Sequence, residues 1–196
     1  MILARATSAA PAAYRWTRDE YYRLGELGFL QECRVELING EIIDLGRVSP
    51  PHAAAVTAGA GLLRNHFGSG YYVRMQQPLQ VGTSSDPLPD LAVVTGTPRQ
   101  YLAAHPTTAA LVVEVADVTL RYDRTVKSAL YAAAGIPDYW VLNLVGRQLE
   151  VFRDPEPDPA VPGAYHYATT VILKPGDVAR PLAMPQASIA VAELLP

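Results

Sequence analysis

The chain has 196 residues, of which 49% are hydrophobic, and this is enough for one well-buried core but hardly for two full domains. The formal net charge of -3 at pH 7 gives no broad attraction to nucleic acid, so a phosphate partner would be held by a local patch or by bound cations. The single cysteine, Cys33, excludes an internal disulfide and a cysteine-cluster zinc site.

The domain organisation follows from the same composition. Residues 1–13 are Ala-rich and predict a flexible N-terminus, while 14–196 predict a single domain with its core at about 34–153 and a C-terminal β extension at 154–196. The start lacks the apolar core of a signal peptide, and no later stretch reaches the roughly 18 apolar residues of a membrane span. We therefore expect a cytoplasmic protein with no membrane partner.

Two helices are predicted in the first third of the chain. Residues 16–27 form the first, because Thr17 can cap it and Glu20 completes a capping box. The second follows Ser49 and two prolines and continues over 52–67, where alanine and glycine permit close packing.

Strands are predicted around and after these helices. An Asn39-Gly40 pair between two apolar alternating runs predicts a tight hairpin over 34–45. Further strand candidates are 71–81 and the short apolar stretch 89–94, and a weak helix is predicted over 97–104.

The central stretch, residues 111–143, predicts a strand, a helix and a strand in succession. The helix covers 119–134 and ends at Gly135, and the second strand begins at 138. Beyond it, 147–153 predicts a hairpin partner, 154–162 a Pro-rich acidic loop, and the remainder short strands with a final helical turn.

The first of these strands carries a charge. Leu111, Val112, Val113 and Val115 are apolar on both alternating faces, which is typical of a strand in the middle of a sheet, and Glu114 interrupts them. A lone ionised carboxylate there loses several kcal/mol of hydration. Glu114 must therefore be neutralised, paired with a cation or used to hold a metal.

Two further carboxylates, Glu36 and Asp90, stand in apolar strands, and Lys127 follows in the predicted helix. Adjacent strands can bring Asp90 and Glu114 to one cation. Mg²⁺ binds through one or two carboxylates while it keeps waters and substrate phosphate oxygens as further ligands. With a lysine nearby to position the attacking water, this set suits hydrolysis of a phosphodiester.

The same residues resemble a known family. The patterns VELINGEI, PDLAVV and LVVEVADVTLRYDRTVKSALYAAAGIPDYWVL are similar to the Uma-two-like family of restriction-endonuclease domains, a branch of the PD-(D/E)xK nuclease superfamily. The likeness covers roughly 16–153. It implies an α/β fold, in which a restriction-endonuclease-like mixed central sheet is flanked by helices, with additional N-terminal and C-terminal β-hairpins.

The resemblance also implies site residues. Glu36, Asp90 and Glu114 correspond to the metal ligands, and the carbonyl of Val115 stands where the superfamily often supplies a main-chain ligand. The superfamily lysine normally lies two residues after the acidic residue, where this chain has Ala116. As in other members of the branch, the lysine corresponds to Lys127 in the following helix. The implied activity is hydrolysis of DNA phosphodiester bonds with Mg²⁺ or Mn²⁺. We also expect a homodimer, because the extra hairpins and the Pro-rich tail supply surface beyond a minimal core and two symmetric sites suit the cutting of two strands.

Simpler interpretations stay open for each residue. A salt bridge from Glu114 to Lys127 or Arg124 would explain the buried charge without a metal. Asp90 follows a proline and can cap a turn, and Glu36 can be an exposed cross-strand partner.

Three further residues are predicted to be accessory to the site, namely His52, Gln77 and Tyr131.

For the whole chain, the alternatives to a nuclease are a catalytically silent module that binds nucleic acid or another partner, and a hydrolase of another phosphate ester.

Overall fold

The computed structural model describes residues 11–196, so most of the predicted flexible start lies outside the described residues. The elements in chain order are α1 (Arg18–Glu26), β1 (Val35–Ile38), β2 (Glu41–Asp44), α2 (Pro50–Phe67), β3 (Tyr71–Met75), β4 (Leu91–Thr95), a 3₁₀ turn (Pro98–Tyr101), β5 (Leu111–Ala116), α3 (Leu120–Tyr122), a π-helical turn (Asp123–Lys127), α4 (Ser128–Ala133), β6 (Asp138–Asn143), β7 (Gln148–Pro157), β8 (Tyr165–Leu173), β9 (Val178–Ala179), β10 (Ile189–Ala190) and α5 (Val191–Leu194).

A six-stranded sheet in the order β3-β4-β5-β6-β7-β8 forms the centre of the fold. Strands β5 and β6 are parallel, and the other neighbouring pairs are antiparallel. A parallel pair needs a crossover connection, and α3, the π-helical turn and α4 provide it. This arrangement confirms the predicted α/β fold with a mixed central sheet flanked by helices.

Short hairpins accompany the sheet at both ends of the chain. Strands β1 and β2 pair on either side of Asn39 and Gly40, both of which have positive φ, as a tight two-residue turn requires. Near the C-terminus β9 and β10 pair with each other. Both additional hairpins were predicted.

The caps predicted from the sequence are present. Thr17 and Glu20 form the capping box of α1, and the Ser49 hydroxyl accepts a hydrogen bond from the His52 backbone N–H at the start of α2. None of the helices between residues 11 and 196 has the length and apolar character that a bilayer span requires.

Two predicted boundaries were wrong. The loop predicted over 154–162 is partly strand, because β7 continues to Pro157 and pairs there with β8. The predicted strand over 71–81 ends at Met75, because Gln76 takes a φ of 49° and turns the chain out of the sheet.

The sheet separates two apolar layers. On one face α2 and α5 pack on the strands, with Ala55 and Leu194 in the same cluster as Val113. On the other face α4 packs, with Tyr131 in the same cluster as Val112 and Tyr139. Because successive residues of β5 point to opposite faces, Glu114 lies on the α4 side, among buried aromatic side chains.

The small residues of α2 let it approach the sheet closely. A Cβ added at Gly59 would lie 2.9 Å from Leu91 Cδ1, whereas one added at Gly61 would meet nothing within 4 Å. Leu91 is fully buried and begins β4, so this close approach fixes α2 against the strand that directly follows the candidate site residue Asp90.

We expect Gly59→Leu to lower the free energy of unfolding by about 1 to 3 kcal/mol, because the added side chain overpacks the contact with Leu91. The matched control, Gly61→Leu, should be neutral or should stabilise by up to about 1 kcal/mol through helix propensity. Urea unfolding monitored by circular dichroism measures both. Equal stabilities of the two variants would contradict close packing at Gly59.

Candidate active site

Strand pairing places Asp90 beside Glu114. In the antiparallel register of β4 and β5, Leu91 stands opposite Val113, so the residue before β4 comes next to Glu114. The Asp90 backbone N–H donates to Glu114 Oε2 at 3.2 Å, and the Val115 backbone N–H donates to Asp90 Oδ2 at 2.9 Å. Backbone groups of each strand thus hold the carboxylate of the other strand, and both side chains lie at the same end of the sheet.

Lys127 joins Glu114 to Glu36. Its Nζ lies 3.0 Å from Glu114 Oε1 and 3.1 Å from Glu36 Oε2, and the lysine is only 4% exposed. Glu36 is fully buried in β1, where the Leu88 backbone N–H also donates to its Oε2 at 3.0 Å. The hairpin, the sheet and the crossover helix therefore meet at one ammonium group.

The π-helical turn presents this lysine. The Asp123 carbonyl accepts from the Ser128 backbone N–H, five residues later, and from the Tyr139 hydroxyl at 3.0 Å. The widened turn differs from the continuous helix predicted over 119–134, and π turns occur frequently at functional sites. On the same turn, Arg124 donates to Glu150 Oε2 at 2.6 Å, so the alternative pairing of Glu114 with Arg124 is wrong.

A cavity of about 90 Å³ opens at these groups. Asp90, Glu114 and Lys127 line it, and so does Val115, whose carbonyl was predicted as a main-chain ligand. Glu36 lies outside the cavity wall. The remaining polar lining comes from Arg34, Arg47, Ser49, His52, Asp117, Thr119, Tyr122 and Asp123.

The accessory residues take definite places around the carboxylates. His52 Nε2 lies 3.0 Å from Asp90 Oδ2, and the Tyr131 hydroxyl donates to Glu114 Oε1 at 2.8 Å. Gln77 was predicted as an accessory residue, but it is Gln76 that donates to Asp90 Oδ1, at 3.0 Å.

Sequence reasoning missed Arg34 as a site residue. Its guanidinium lies 3.9 Å from Asp90 Oδ1 and lines the cavity. The only sequence signal for a site role of Arg34 was its position directly before β1, the strand that carries Glu36.

The electrostatics of the cluster show an excess of negative charge. Burial raises the pKa of Glu114 to about 8, because the opposing Lys127 ammonium does not offset burial and the charges of Asp90, Asp123 and Glu36. Burial by itself lowers the pKa of Lys127, but the charges of Glu114, Glu36 and Asp123 outweigh it, and the net pKa is raised. One ammonium does not balance these carboxylates, so Glu114 binds a proton more readily than an ordinary glutamate while Lys127 stays charged.

Asp90 behaves in the opposite way. Burial favours its protonated form, but hydrogen bonds from His52, Gln76 and the Val115 backbone outweigh burial and lower the pKa of Asp90. The Asp90 carboxylate is therefore ionised near neutral pH.

The donor set fits a hard divalent cation. Asp90 and Glu114 offer carboxylate oxygens in a cavity with uncompensated negative charge, and magnesium is bound in this way through one or two carboxylates. Among residues 11–196 no three side chains of His, Cys, Asp or Glu are grouped closely enough to hold a metal by themselves. Further ligands would therefore come from the main chain, water and substrate.

Comparison with known proteins gives a family and a related structure. A family model described as "Uma2: Putative restriction endonuclease" matches residues 18–192. A crystal structure described as a putative nuclease belonging to DUF820 from Anabaena variabilis ATCC 29413 is similar, with a TM-score of 0.61 and 14% identity. The likeness covers 82% of this chain and 88% of that one, and it shows a shared fold. No curated protein matches the chain.

Asp123 gives the site a testable pH dependence. Burial raises its pKa to about 6, against about 3.9 in the unfolded chain. Between these values the folded chain binds more protons at Asp123 than the unfolded chain, so Asp123 should lower stability by about 2 to 3 kcal/mol as the pH rises from 4 to 7. Glu114, whose pKa is also raised, adds a fall of the same sign. Asp123→Asn, whose amide oxygen can still accept a hydrogen bond from the Thr119 hydroxyl, should lose the Asp123 part of the fall and be more stable than the parent above pH 6.

Urea unfolding with a chelator present, at several pH values, measures this effect. The control is Glu150→Gln, because hydrogen bonds from Arg124, Gln148 and Asn143 outweigh burial and lower the pKa of Glu150. That variant should be less stable than the parent at neutral pH. A parent chain whose stability rises steadily from pH 4 to pH 7, with Asp123→Asn parallel to it, would contradict the assignment.

Proposed function

The chain belongs to the Uma2 family of putative restriction endonucleases, and we propose that it is a divalent-metal-dependent endonuclease that hydrolyses DNA phosphodiester bonds. The observation that carries the proposal is the Lys127 ammonium, which is buried against Glu114 and Glu36 in the wall of the cavity that Asp90 lines. Burying the charged groups of Lys127, Glu114, Glu36 and Asp90 costs several kcal/mol of hydration. A fold that had no function at this place would gain little stability from assembling them.

The metal-holding residues in this proposal are Asp90, Glu114 and the main-chain carbonyl of Val115, with Mg²⁺ or Mn²⁺ as the ion. When bound, the ion supplies positive charge for the negative charge that develops on the phosphate oxygens during hydrolysis. His52 and Gln76 keep the Asp90 carboxylate ionised and oriented through the hydrogen bonds described above. Glu36 was predicted as a ligand, and its contacts favour a positioning role, because the Leu88 N–H donates to its Oε2 and the Lys127 ammonium forms an ion pair with the same oxygen.

In the proposed reaction Lys127 both pairs with the buried carboxylates and donates a hydrogen bond into the cavity. An ammonium has three N–H donors. One donates to Glu114 Oε1 at 3.0 Å, and Glu36 Oε2 lies 3.1 Å from the same Nζ as an ion-pair partner. A further N–H can donate to a water in the cavity and orient it for attack, or to a phosphate oxygen. Arg34 and Arg47 line the same cavity and can contact neighbouring phosphates, which supplies local cationic groups in an acidic protein.

A second candidate is a catalytically silent module that binds nucleic acid or another partner. It is favoured by the ion pairs of Lys127, which partly balance the buried carboxylates without any metal. Hydrolysis of another phosphate ester and assembly into a homodimer stay predictions.

Lys127→Met should slow cleavage of plasmid DNA by about a hundredfold to a thousandfold, because losing a positioned water and a local charge costs roughly 3 to 4 kcal/mol of barrier. It should also destabilise the metal-free chain by about 3 to 5 kcal/mol, because two buried carboxylates lose their partner. A gel assay at a temperature where the variant is folded measures the first effect, and urea unfolding the second.

Arg124→Met is the matched control, since it breaks the ion pair with Glu150 on the same turn but leaves the cavity lining unchanged. It should keep the parental cleavage rate. If Lys127→Met cuts as fast as the parent, or Arg124→Met is slowed equally, Lys127 has no specific part in the reaction.

Divalent metal should stabilise the parent chain through linkage, by about 2.7 kcal/mol at a concentration of 100 times Kd. Asp90→Asn should lose most of this gain, whereas the exposed control Asp154→Asn should keep it. Urea unfolding with Mg²⁺, with Mn²⁺ and with a chelator measures the gain. A parent chain that neither ion stabilises at millimolar concentration would favour the silent module.

A further inference from the structure

A second cavity, of about 180 Å³, lies next to the candidate active site. Side chains of α1 form one side of it, including Tyr21 and Tyr22. Asp86 and Leu88, from the segment that leads into β4, form another side. Nothing in the proposed hydrolysis uses this cavity.

The aromatic walls are held in place by hydrogen bonds at their tips. The Tyr21 hydroxyl donates to the Val35 carbonyl at 3.0 Å, and the Tyr22 hydroxyl donates to Asp86 Oδ2. Gln80 also donates to the Tyr22 hydroxyl, at 3.2 Å. Two fixed aromatic rings in a partly apolar cavity form a surface on which a flat ring can stack.

Asp86 supplies a buried acceptor in the same cavity. The residue is 1% exposed, and its Oδ1 has no hydrogen-bond partner among residues 11–196, while Oδ2 accepts from Tyr22. An unsatisfied buried carboxylate oxygen costs free energy, and a hydrogen-bond donor on a ligand would remove this cost. The cavity wall therefore combines aromatic side chains with a buried carboxylate that has one unpartnered oxygen.

Leu88 connects this cavity to the active site. Leu88 lines both cavities, and its backbone N–H donates to Glu36, the partner of Lys127. A ligand in the second cavity would therefore be separated from the candidate active site by Leu88 alone. The base of a nucleotide next to the scissile phosphate would fit this position.

We propose that the second cavity binds an unstacked nucleobase that carries an amino group, next to the phosphodiester bond that is cut. This inference rests on the proposed nuclease function and adds to it a substrate class: nucleic acid with a base that is single-stranded or flipped out of a duplex. The amino group of adenine, cytosine or guanine would donate to Asp86 Oδ1. Thymine is disfavoured, because its ring N–H lies between two carbonyl oxygens that would face the carboxylate.

The first test uses the full chain without metal, so that no cleavage occurs. Equilibrium dialysis with the four 2′-deoxynucleosides should show that those with an amino group bind about tenfold more tightly than thymidine, as expected for one hydrogen bond to a charged acceptor. Asp86→Asn should abolish this preference. Asp19→Asn, which removes an exposed charge from α1, the helix that carries Tyr21 and Tyr22, should retain it.

Gly25 offers a variant that blocks the cavity without weakening the fold. It lies in α1, lines the cavity, and a Cβ added there would meet nothing within 4 Å. Gly25→Leu should fold at least as well as the parent, since leucine favours a helix over glycine, yet lose at least tenfold in nucleoside affinity. Gly61→Leu, the equivalent change in α2, should bind like the parent.

The second test asks whether the bound base belongs to the substrate. Single-stranded oligonucleotides with one variable base should be cut about tenfold faster beside an amino-bearing base, and Gly25→Leu should remove that preference. Nucleosides that bind with no effect of the base on cleavage would identify the ligand as a free nucleoside or nucleotide and overturn the substrate role.

The two proposals fail differently in these tests. Cleavage of DNA with no nucleoside binding and no base preference would overturn the base site and leave the nuclease intact. Nucleoside binding that is lost in Gly25→Leu, in a chain that cuts no nucleic acid, would overturn the nuclease and leave a base-binding cavity.

Discussion

One buried ammonium group governs the arrangement of this protein. The Lys127 side chain is withdrawn from water and is compensated by Glu114 from the central sheet and Glu36 from the N-terminal hairpin. A buried charge is tolerated only when its partners are in place, so the hairpin, the sheet and the crossover helix must meet together. Because Asp90 and Asp123 add further negative charge, the same cluster that requires the lysine also leaves room for a cation.

The crossover helix meets this constraint through its π-helical turn. Arg124 and Lys127 belong to the same turn, yet one pairs with Glu150 on β7 and the other with Glu114 on β5. Two residues of one turn therefore face different strands of the sheet. The position of the candidate catalytic ammonium is set by its own partners, Glu114 and Glu36, and not by helix propensity.

Local signals in the sequence were sufficient for much of the fold. The capping box of α1, the Asn39-Gly40 hairpin and the buried strands depend on residues close in sequence, and each was predicted. The charge at Glu114 also drew attention to the strand that carries the centre of the buried cluster, since a carboxylate in an apolar run has few explanations.

The features that were not predicted depend on tertiary contacts. The π turn needs the Tyr139 hydroxyl at the Asp123 carbonyl, and that contact joins two elements. Gln76 replaces Gln77 at Asp90 because the left-handed conformation at Gln76 breaks the alternation of side chains assumed for a strand. No sequence motif predicts the aromatic cavity, because it forms only when α1 packs against the segment before β4.

The order in which the chain can assemble follows from the separation of the site residues. Lys127 and Glu114 are 13 residues apart, within one strand–helix–strand unit, whereas the contact of Asp90 with Glu114 spans 24 residues and that of Leu88 with Glu36 spans 52. Closing a longer loop costs more entropy, so the central unit can form early with its carboxylates still hydrated. Docking of the hairpin then places Glu36 against Lys127, so the step that completes the fold is the same step that assembles the candidate site.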